Sequence, residues 1–314
     1  MSTWLVTGAA GFIGSHLIET LLERGERVIA LDIRDMGGRA HATPKPSGEG
    51  GSPRATTIQG DIRDLAQCRK ACAGVDFVLH QAAQCSVPAS IEDPLTTHAT
   101  NVTGFLNMML AARDARVKRF VFASSCAVYG NSENLPNSEA RTGNLLSPYA
   151  LSKYMDELYA NMFGLETIGL RYFNVYGPRQ DPNGAYAAVI PRWITALLKG
   201  ERVMIFGDGE TTRDFVFVGD VVKANLMAAT TSKAEAVGQV YNIASGNSVS
   251  LNTLHGRLCK VIGIKAPPHY ADFRAGDIRH SRADTSKACR LLGFDAGISL
   301  DQGLESTVAA YRKQ

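Results

Sequence analysis

Short apolar runs alternate with longer segments of helical periodicity through the first half of the chain. In the longer segments apolar residues recur every three to four positions, which is typical of a helix packed on one face. The predicted strands are 3–7, 27–31, 56–59, 76–79, 119–123 and 167–171. The predicted helices lie near 12–24, 64–72, 93–115 and 147–163. This alternation predicts an α/β fold with a doubly wound parallel sheet and right-handed crossovers.

The alternation changes at two places. Residues 34–55 are rich in glycine and proline, which predicts a mobile surface loop. After residue 171 the elements become shorter, as expected of a smaller mixed α/β lobe, and Val240–Ala244 is predicted to return to the main sheet as a strand. The first predicted domain comprises residues 1–171 and a strand near 239–244. Residues 172–238 and 245–314 are predicted to form a lobe that mainly binds substrate.

A glycine-rich turn joins the first predicted strand to the first helix. Glycine at positions 8, 11 and 14 permits a tight turn and lets the backbone approach a pyrophosphate at the positive end of the helix. The second strand ends at Asp32, whose carboxylate can accept hydrogen bonds from an adenosine ribose and repel a 2′-phosphate. The pattern predicts a dinucleotide site that favours NAD over NADP, although Arg34 and Arg39 lie close enough in sequence to neutralise a phosphate.

A second group of residues can carry acid–base chemistry. Tyr149 and Lys153 are four residues apart and therefore fall on one face of a predicted helix. There the ammonium can stabilise a phenolate, so that a tyrosine that ordinarily ionises at about pH 10 can act as a base near neutrality. Ser125, Asp61 and Ala82 each lie two or three residues after the end of a predicted strand. Since ligands of such a sheet bind beyond the carboxyl ends of its strands, we expect these residues to converge on one crevice.

Composition excludes several classes of protein. The 314 residues carry 33 basic and 30 acidic side chains, and no Lys/Arg block is long enough for a nucleic-acid track. No apolar run has the length of a membrane span, so we expect a soluble cytoplasmic protein without nucleic-acid or membrane partners. The six cysteines are scattered, and Cys68 and Cys72 lack a second ligand pair. Reduced, partly buried thiols and no metal site are therefore predicted.

Four motifs together resemble the extended short-chain dehydrogenase/reductase family, and within it the UDP-hexose 4-epimerases. In chain order they are Thr7–Gly14, Ser124–Gly130, Pro148–Lys153 and Arg171–Gly177. Three further segments resemble those of UDP-N-acetylglucosamine 4-epimerases: Arg179–Pro191, Gly207–Phe215 and Phe273–Ser281. The resemblance implies a Rossmann-type fold, a tightly held NAD, a UDP-sugar substrate and a homodimer.

The resemblance, carried over position by position, implies three groups of site residues. The catalytic residues are Ser125, Tyr149 and Lys153. The cofactor-binding residues are Gly8, Gly11, Phe12, Ile13, Gly14, Asp32, Asp61, Ile62, Gln81, Ala82, Ala83, Asn101, Tyr149, Lys153 and Tyr172. The substrate-binding residues are Ser125, Asn174, Val189, Met204, Phe206, Arg213, Arg274, Asp277 and Ser281.

The same resemblance assigns chemical roles. Tyr149 as a phenolate removes the proton of the sugar 4-hydroxyl while C4 delivers hydride to the nicotinamide, and return of the hydride to the opposite face inverts C4. Arg213 and Arg274 grip the substrate diphosphate, for which guanidinium groups are well suited. Ser281 occupies the position of a bulky tyrosine in epimerases restricted to glucose and galactose. A serine there leaves room for an acetamido group.

Other activities stay open at the level of sequence. Sugar-nucleotide 4,6-dehydratases carry Asp-Glu directly after the catalytic serine or its equivalent, where this chain has Cys126 and Ala127. Alanine transfers no proton, but the cysteine leaves a 5,6-dehydration possible in principle. A UDP-glucuronate 4-epimerase would need a cation beside the C6 carboxylate, and Arg179 and Arg192 are the candidates for it. A non-catalytic NAD sensor is disfavoured because the serine, tyrosine and lysine are all present.

Two positions depart from the pattern of some epimerases. Cys85 stands where they have a lysine in the cofactor loop, and Ala123 stands where they have a serine that contacts the cofactor. The loop after the fourth strand can still offer backbone contacts to NAD. We therefore expect altered detail and not lost binding.

Overall fold

The structure is a computed structural model that describes residues 1–36, 55–183, 187–273 and 278–313. The strands are β1 (Thr3–Thr7), β2 (Arg27–Asp32), β3 (Ala55–Gln59), β4 (Phe77–His80), β5 (Arg119–Ser125), β6 (Thr167–Tyr172), β7 (Asn174–Tyr176), β8 (Met204–Phe206), β9 (Thr212–Phe217), β10 (Gln239–Ile243), β11 (Ser248–Ser250) and β12 (His269–Ala271). The α-helices are α1 (Phe12–Glu23), α2 (Leu65–Cys72), α3 (Val87–Glu92), α4 (Pro94–His98), α5 (Gly104–Asp114), α6 (Pro148–Tyr159), α7 (Val189–Leu198), α8 (Val218–Thr230), α9 (Leu251–Ile262) and α10 (Leu300–Tyr311). Shorter turns are π-helical at Ala99–Thr103 and Ala288–Leu292 and 3₁₀ at Cys126–Tyr129 and Ala234–Ala236.

The main sheet confirms the predicted fold class. Its strand order is β10-β6-β5-β4-β1-β2-β3, and every neighbouring pair is parallel. The chain runs outward from β1 to β3, crosses back to β4, and then runs outward in the other direction. That reversal opens a crevice at the carboxyl ends of β1 and β4, which is where open α/β sheets bind ligands.

Apolar side chains cover both faces of this sheet. On one face Leu17 and Leu21 of α1 pack with Val221 of α8. On the other face Phe105 of α5 packs with Cys68 of α2. Side chains of successive strand residues point to opposite faces, so each inner strand contributes to both clusters and reads as a continuous apolar run.

A smaller set of elements follows β6. Strands β11-β9-β7 form one sheet and β12-β8 another, and α7, α9 and α10 enclose a separate apolar cluster around Trp193, Leu254 and Leu304. Strand β10 lies between them in sequence but pairs in parallel with β6 in the main sheet. The division of the chain into two domains at the predicted boundaries stays a prediction.

Two predicted helices differ from the observed ones. The segment 93–115 is not one α-helix, because a π-helical turn at Ala99–Thr103 separates α4 from α5. Such turns insert one residue into a helix and are frequent at functional sites. The end predicted at residue 163 is wrong, since α6 stops at Tyr159 and the chain reverses through Gly164, whose φ is +68°.

Several other expectations concern the surface and the thiols. Of the predicted loop 34–55, residues 37–54 lie outside the described residues, and Ala55 already belongs to β3. All six cysteines are free; Cys68 and Cys72 are buried, while Cys85 and Cys289 are exposed. Within the described ranges, no helix is both long enough and apolar enough to cross a membrane.

Candidate active site

The turn between β1 and α1 forms a cradle for an anion. Gly8 has a φ of +65°, and a Cβ atom there would lie 2.8 Å from the Ala82 nitrogen. A Cβ atom at Gly14 would overlap the Gly8 carbonyl oxygen, so neither position accepts a side chain. Helix α1 begins at Phe12, and no side chain of the described residues caps it at Gly11. Its first N–H groups, at the positive end of the helix dipole, are available to a pyrophosphate.

The first turn of α1 is held by contacts within the helix, with the apolar core and with the second lobe. The ring of Phe12 lies edge-on to His16 with the ring centroids 5.8 Å apart, and Ile13 packs against the core. His16 Nε2 lies 2.9 Å from the carbonyl oxygen of Pro178 in the second lobe. The two lobes are therefore tied together directly behind the glycine turn.

Asp32 ends β2 beside the glycine turn. Its Oδ2 accepts a hydrogen bond from the N–H of Ala10 at 2.9 Å. Its Oδ1 accepts hydrogen bonds from the N–H and the Nε–H of Arg34 at 2.9 and 3.2 Å. The Asp32 side chain is 6% exposed, whereas that of Arg34 is 62% exposed. An acidic acceptor fixed at this place fits the ribose of an adenosine.

Asp61 and Ile62 follow β3 by one glycine. The guanidinium of Arg63 donates to both carboxylate oxygens of Asp61 and holds the pKa of that carboxyl below its usual range. The Ile62 side chain is buried, and its carbonyl oxygen accepts hydrogen bonds from Cys68 and Asn107. Contacts of Asp61 and Ile62 with a cofactor stay a prediction.

The crevice between β1 and β4 is held by a buried threonine–histidine pair. Thr7 Oγ1 accepts hydrogen bonds from the N–H groups of Gln81 and Ala82 at 3.1 Å each. Its own hydrogen is therefore directed to His80 Nδ1, 2.9 Å away. Burial lowers the pKa of His80 to about 3, so the ring is neutral near pH 7. These bonds fix the loop that begins at Gln81 and contains Ala83, where backbone contacts to the cofactor are predicted.

Three side chains close a ring of hydrogen bonds behind that loop. Asn225 Nδ2 donates to the Tyr172 hydroxyl at 2.8 Å, and that hydroxyl donates to Gln81 Oε1 at 3.1 Å. Gln81 Nε2 donates in turn to Asn225 Oδ1 at 3.0 Å. Each member donates once and accepts once within the ring, which defines the orientation of both amides. The ring joins β6, α8 and the cofactor loop.

Asn101 lies in the π-helical turn and fastens the same loop to α6. Its Oδ1 accepts a hydrogen bond from the Gln84 N–H at 2.8 Å. Its Nδ2 donates to the Gln84 carbonyl oxygen at 3.0 Å and to Ser152 Oγ at 2.9 Å. The side chain thus orders the loop, and a direct contact of Asn101 with the cofactor stays a prediction.

Ser125 and Tyr149 meet at the carboxyl end of β5. Ser125 Oγ accepts a hydrogen bond from the Ala127 N–H at 3.1 Å. Ser147 caps α6, and the N–H of Tyr149 donates to Ser90 Oγ at 3.1 Å, which fixes the first turn of the helix. Burial raises the pKa of Tyr149, while its side-chain hydrogen bond with Ser125 acts in the opposite direction.

Lys153 lies one turn further along α6 and is 2% exposed. Its Nζ donates to the Ala123 carbonyl oxygen at 2.9 Å and to Asp156 Oδ2 at 3.3 Å. Two of the three ammonium hydrogens are thereby used. The third has no partner within the described residues and is available to a ribose hydroxyl. The sequence interpretation missed Asp156, although 149, 153 and 156 follow the helical spacing of one face.

Behind Ser125 lies a buried ion pair. Arg171 Nε and Nη2 donate to the two oxygens of Glu157 at 2.8 and 2.7 Å, and both side chains are nearly inaccessible. Ser124 Oγ donates to the same carboxylate at 2.5 Å. The Arg171 guanidinium also lies over the ring of Tyr129, 4.9 Å from its centroid. The cluster ties β5, β6 and α6 together next to the predicted catalytic side chains.

The residues directly after Ser125 carry no acid or base that is active near neutrality. Burial raises the pKa of the Cys126 thiol to about 11, against the opposing charge of Arg213, so the thiol is protonated. Ala127 contributes only its backbone N–H. Because the charge of Arg213 acts on the Cys126 thiol, Arg213 of β9 lies near the end of β5.

Strand β9 gathers several of the predicted substrate-binding residues. Asn174 Nδ2 donates to the Asp214 carbonyl oxygen at 2.9 Å. The N–H of Ser281 donates to the Thr212 carbonyl oxygen at 3.2 Å, which brings Ser281 beside Arg213. The buried carboxylate of Asp214 binds Ser245 and the N–H of Ala283 and so fixes these segments.

The remaining predicted substrate-binding residues lie elsewhere in the second lobe or outside the description. Val189 is the first residue of α7, and Met204 and Phe206 begin and end β8. Met204 is 46% exposed. Arg274 and Asp277 lie outside the described residues.

Comparison with known proteins identifies the family. The NAD dependent epimerase/dehydratase family matches residues 4–244. The chain therefore belongs to that family, and the resemblance inferred from the motifs is confirmed. NAD is its cofactor, and the glycine turn, Asp32 and the open end of α1 fit this dinucleotide.

Relatives cover nearly the whole chain. The UDP-glucose 4-epimerase of Mycolicibacterium smegmatis is 37% identical over 316 residues, which are 99% of this chain and 98% of the relative. The UDP-N-acetylglucosamine 4-epimerase of Methanobrevibacter ruminantium, solved with UDP-N-acetylmuramic acid, is 36% identical to this chain, with a TM-score of 0.92. The match covers 100% of this chain and 99% of that structure's chain. The UDP-glucose 4-epimerase of Thermus thermophilus, solved with NAD, is 33% identical with a TM-score of 0.82 and 99% coverage of both chains. Other matches include UDP-glucuronate 4-epimerases and a dTDP-glucose 4,6-dehydratase.

Proposed function

We propose that this protein is a UDP-N-acetylglucosamine 4-epimerase that also accepts UDP-glucose and UDP-galactose. The observation that carries the proposal is that the Ser125 and Tyr149 side chains lie beside each other, with Lys153 buried one turn away and no acidic side chain directly after Ser125. Such a site transfers a proton at one carbon and has no second acid–base pair for an elimination.

Each of the three residues has a distinct task. Tyr149 takes the proton of the sugar 4-hydroxyl, and Ser125 hydrogen-bonds that hydroxyl and relays the proton. Lys153 supplies positive charge that favours the phenolate, and its remaining N–H binds the cofactor ribose. NAD held by the glycine turn, Asp32 and Lys153 would supply a reversible hydride acceptor for C4. The sugar must turn over between these steps, so the nucleotide is held firmly and the sugar loosely.

The residues around Ser125 favour epimerisation over dehydration. Removal of water needs a base to take one proton and an acid to protonate the leaving hydroxyl. Ala127 can do neither, and a thiol whose pKa is raised to about 11 is a poor base near neutrality. The absence of an acid–base pair after Ser125 therefore favours return of the hydride to the 4-keto sugar.

The second lobe supports an N-acetylated substrate. Ser281 is small, 9% exposed and next to Arg213, the side chain expected to bind the diphosphate together with Arg274. A UDP-glucuronate epimerase would need a free cation near C6. Arg179 is not free for that task, because its Nη2 lies 2.7 Å from Glu19 Oε2 and 2.6 Å from His16 Nδ1.

We also propose that the protein is a homodimer. Helices α3, α4 and α6 present exposed apolar side chains away from the sheet, and the positions on α6 have the spacing of one helix face. They are Ile91, Leu95, Leu151 and Leu158. Leu95, Leu146 and Leu151 line a groove between α4 and α6. A second copy of the same face would cover this apolar area.

The decisive experiment incubates the purified protein with UDP-N-acetylglucosamine without added NAD and follows the sugar by proton NMR. We expect UDP-N-acetylgalactosamine, with the C4 hydroxyl inverted and NAD retained by the protein. Tyr149→Phe should lower turnover by about 10²–10⁴-fold while NAD stays bound, because only the base is removed. A dehydrated product would replace the proposal with a dehydratase, and turnover of UDP-glucuronate alone would replace it with a glucuronate epimerase.

A further inference from the structure

Asp156 is a buried carboxylate at the catalytic centre that neither the acid–base scheme nor the local fold accounts for. It is 1% exposed, and its Oδ2 lies 3.3 Å from the ammonium nitrogen of Lys153. Its Oδ1 has no hydrogen-bond partner within the described residues. The helix does not need Asp156 as a cap, since Ser147 already caps α6. A buried carboxylate that is half satisfied is costly, which favours a role in the site.

The charges that face Asp156 leave Lys153 as its main partner. Burial raises the pKa of Asp156 to about 7, Lys153 opposes that shift, and the neighbouring Glu157 adds to it. Glu157 is itself neutralised by Arg171 of β6.

The other elements near this face of α6 present neutral groups, a paired charge or exposed charges. His80 of β4 is neutral, since burial lowers its pKa to about 3, and the Cys126 thiol of the adjoining 3₁₀ turn is protonated. Arg119, at the start of β5, pairs with Glu166. Helices α3, α4 and α5 also pack on α6, and their charged residues are exposed: Glu92, His98, Arg113 and Asp114.

We propose that Asp156 is a positioning residue that holds the Lys153 ammonium and shares its charge with Tyr149. An ionised Asp156 offsets the positive charge and disfavours the Tyr149 phenolate. A protonated Asp156 leaves that charge to the phenolate. The two groups therefore titrate as a coupled pair, and the protonation of Asp156 protects the base as the pH falls. This inference rests on the proposed role of Tyr149 as the base.

The direction of the coupling is supported by the charges themselves. The charge of Asp156 raises the pKa of Tyr149, in addition to the larger effect of burial. Asparagine at position 156 has the same shape and keeps an oxygen for Lys153, but it carries no charge. Replacement of Asp156 by asparagine should therefore make Tyr149 a phenolate at lower pH.

The first test is the pH profile of kcat/KM for Asp156→Asn with UDP-N-acetylglucosamine. We expect the acidic limb to move to lower pH by about half a unit, which is roughly a threefold higher kcat/KM on that limb. NAD content should equal that of the wild-type protein. Asp114→Asn is the matched control, because it removes an exposed carboxylate from a helix packed on α6 and should leave the profile unchanged. An unshifted profile, or a shift to higher pH, overturns the proposal.

The second test needs neither substrate nor a folded Asp156 variant. In the NAD-bound wild-type protein labelled with [γ-¹³C]aspartate, we expect a carboxyl resonance that titrates near neutrality and whose midpoint falls in Tyr149→Phe, because the phenolate charge is gone. If no aspartate resonance responds to Tyr149→Phe, the coupling does not exist. Failure of every UDP-sugar to turn over would instead reject the proposed function, so the two failures are distinguishable.

Discussion

Single side chains of the site differ in how firmly the fold constrains them. Tyr149 is fixed through its backbone by Ser90, and its hydroxyl lies beside Ser125, so a change near either residue should disturb the proposed chemistry. Ser281 is held only through its N–H, and its hydroxyl makes no hydrogen bond within the described residues. A larger side chain at position 281 can therefore alter the sugar pocket without breaking a polar contact.

Ser281→Tyr should exclude the acetamido group and spare the smaller sugars. We expect the ratio of kcat/KM for UDP-N-acetylglucosamine to kcat/KM for UDP-glucose to fall by roughly 10–100-fold, measured with both substrates on the same preparation. Ser281→Ala, which keeps the pocket open, should leave the ratio unchanged. Equal losses for the two substrates would mean that Ser281 does not gate the pocket.

Among the secondary-structure elements, β5, β6 and α6 behave as one unit. The Glu157–Arg171 pair and Ser124 join them in a buried network that is nearly inaccessible to solvent. Ser125 is the residue after Ser124, and Lys153 lies one turn before Glu157. The position of both catalytic groups thus depends on an ion pair that takes no part in the reaction.

Breaking this ion pair from one side should destabilise the protein more than removing it altogether. Arg171→Met leaves the Glu157 carboxylate buried without its cation, and Glu157→Leu leaves the Arg171 guanidinium buried without its anion. Each variant should lower the free energy of unfolding by about 3–5 kcal/mol. The double variant should lose less than the sum of the two. Urea unfolding at fixed protein concentration and saturating NAD measures all four proteins. Strict additivity would show that the two side chains are not energetically coupled.

At the scale of the whole molecule, the contact between the two lobes and the proposed dimer face lie in different places. The lobes are joined behind the cofactor turn by the bonds of His16 to Pro178 and to Arg179. The apolar side chains of α3, α4 and α6 lie on the opposite side of α6 from Tyr149 and Lys153. A dimer formed there would leave the crevice open to substrate.

A charge in the apolar face should dissociate the proposed dimer. Leu95 is 82% exposed, and Leu95→Glu would place a carboxylate in the interface, where its desolvation is unfavourable. We expect the wild-type protein to have the mass of a dimer in light scattering and the variant to have that of a monomer. Ile298→Glu, at an exposed apolar residue before α10, is the control and should stay dimeric. A wild-type monomer at every concentration would reject the proposal.

Local signals made much of the fold and the site predictable. The strand–helix alternation predicted the ends of the strands in the first half within a residue or two. It did not predict the π-helical turn, because helical periodicity continues across one inserted residue. Glycine at positions 8 and 14 was recognisable because no other residue fits that turn. Tyr149 and Lys153 were recognisable because their spacing is a property of any helix.

The sequence by itself determined the family, the dinucleotide turn and the tyrosine–lysine pair, since each depends on residues that are neighbours in the chain. Only the tertiary structure decided which groups surround them. Gln81 and Asn225 are 144 residues apart and Thr7 and His80 are 73 apart, yet each pair shares a hydrogen bond. Asp156 looks like a surface charge until packing buries its face of α6. Burial sets the desolvation of a charge, and desolvation turns an ordinary aspartate into a partner of the catalytic lysine.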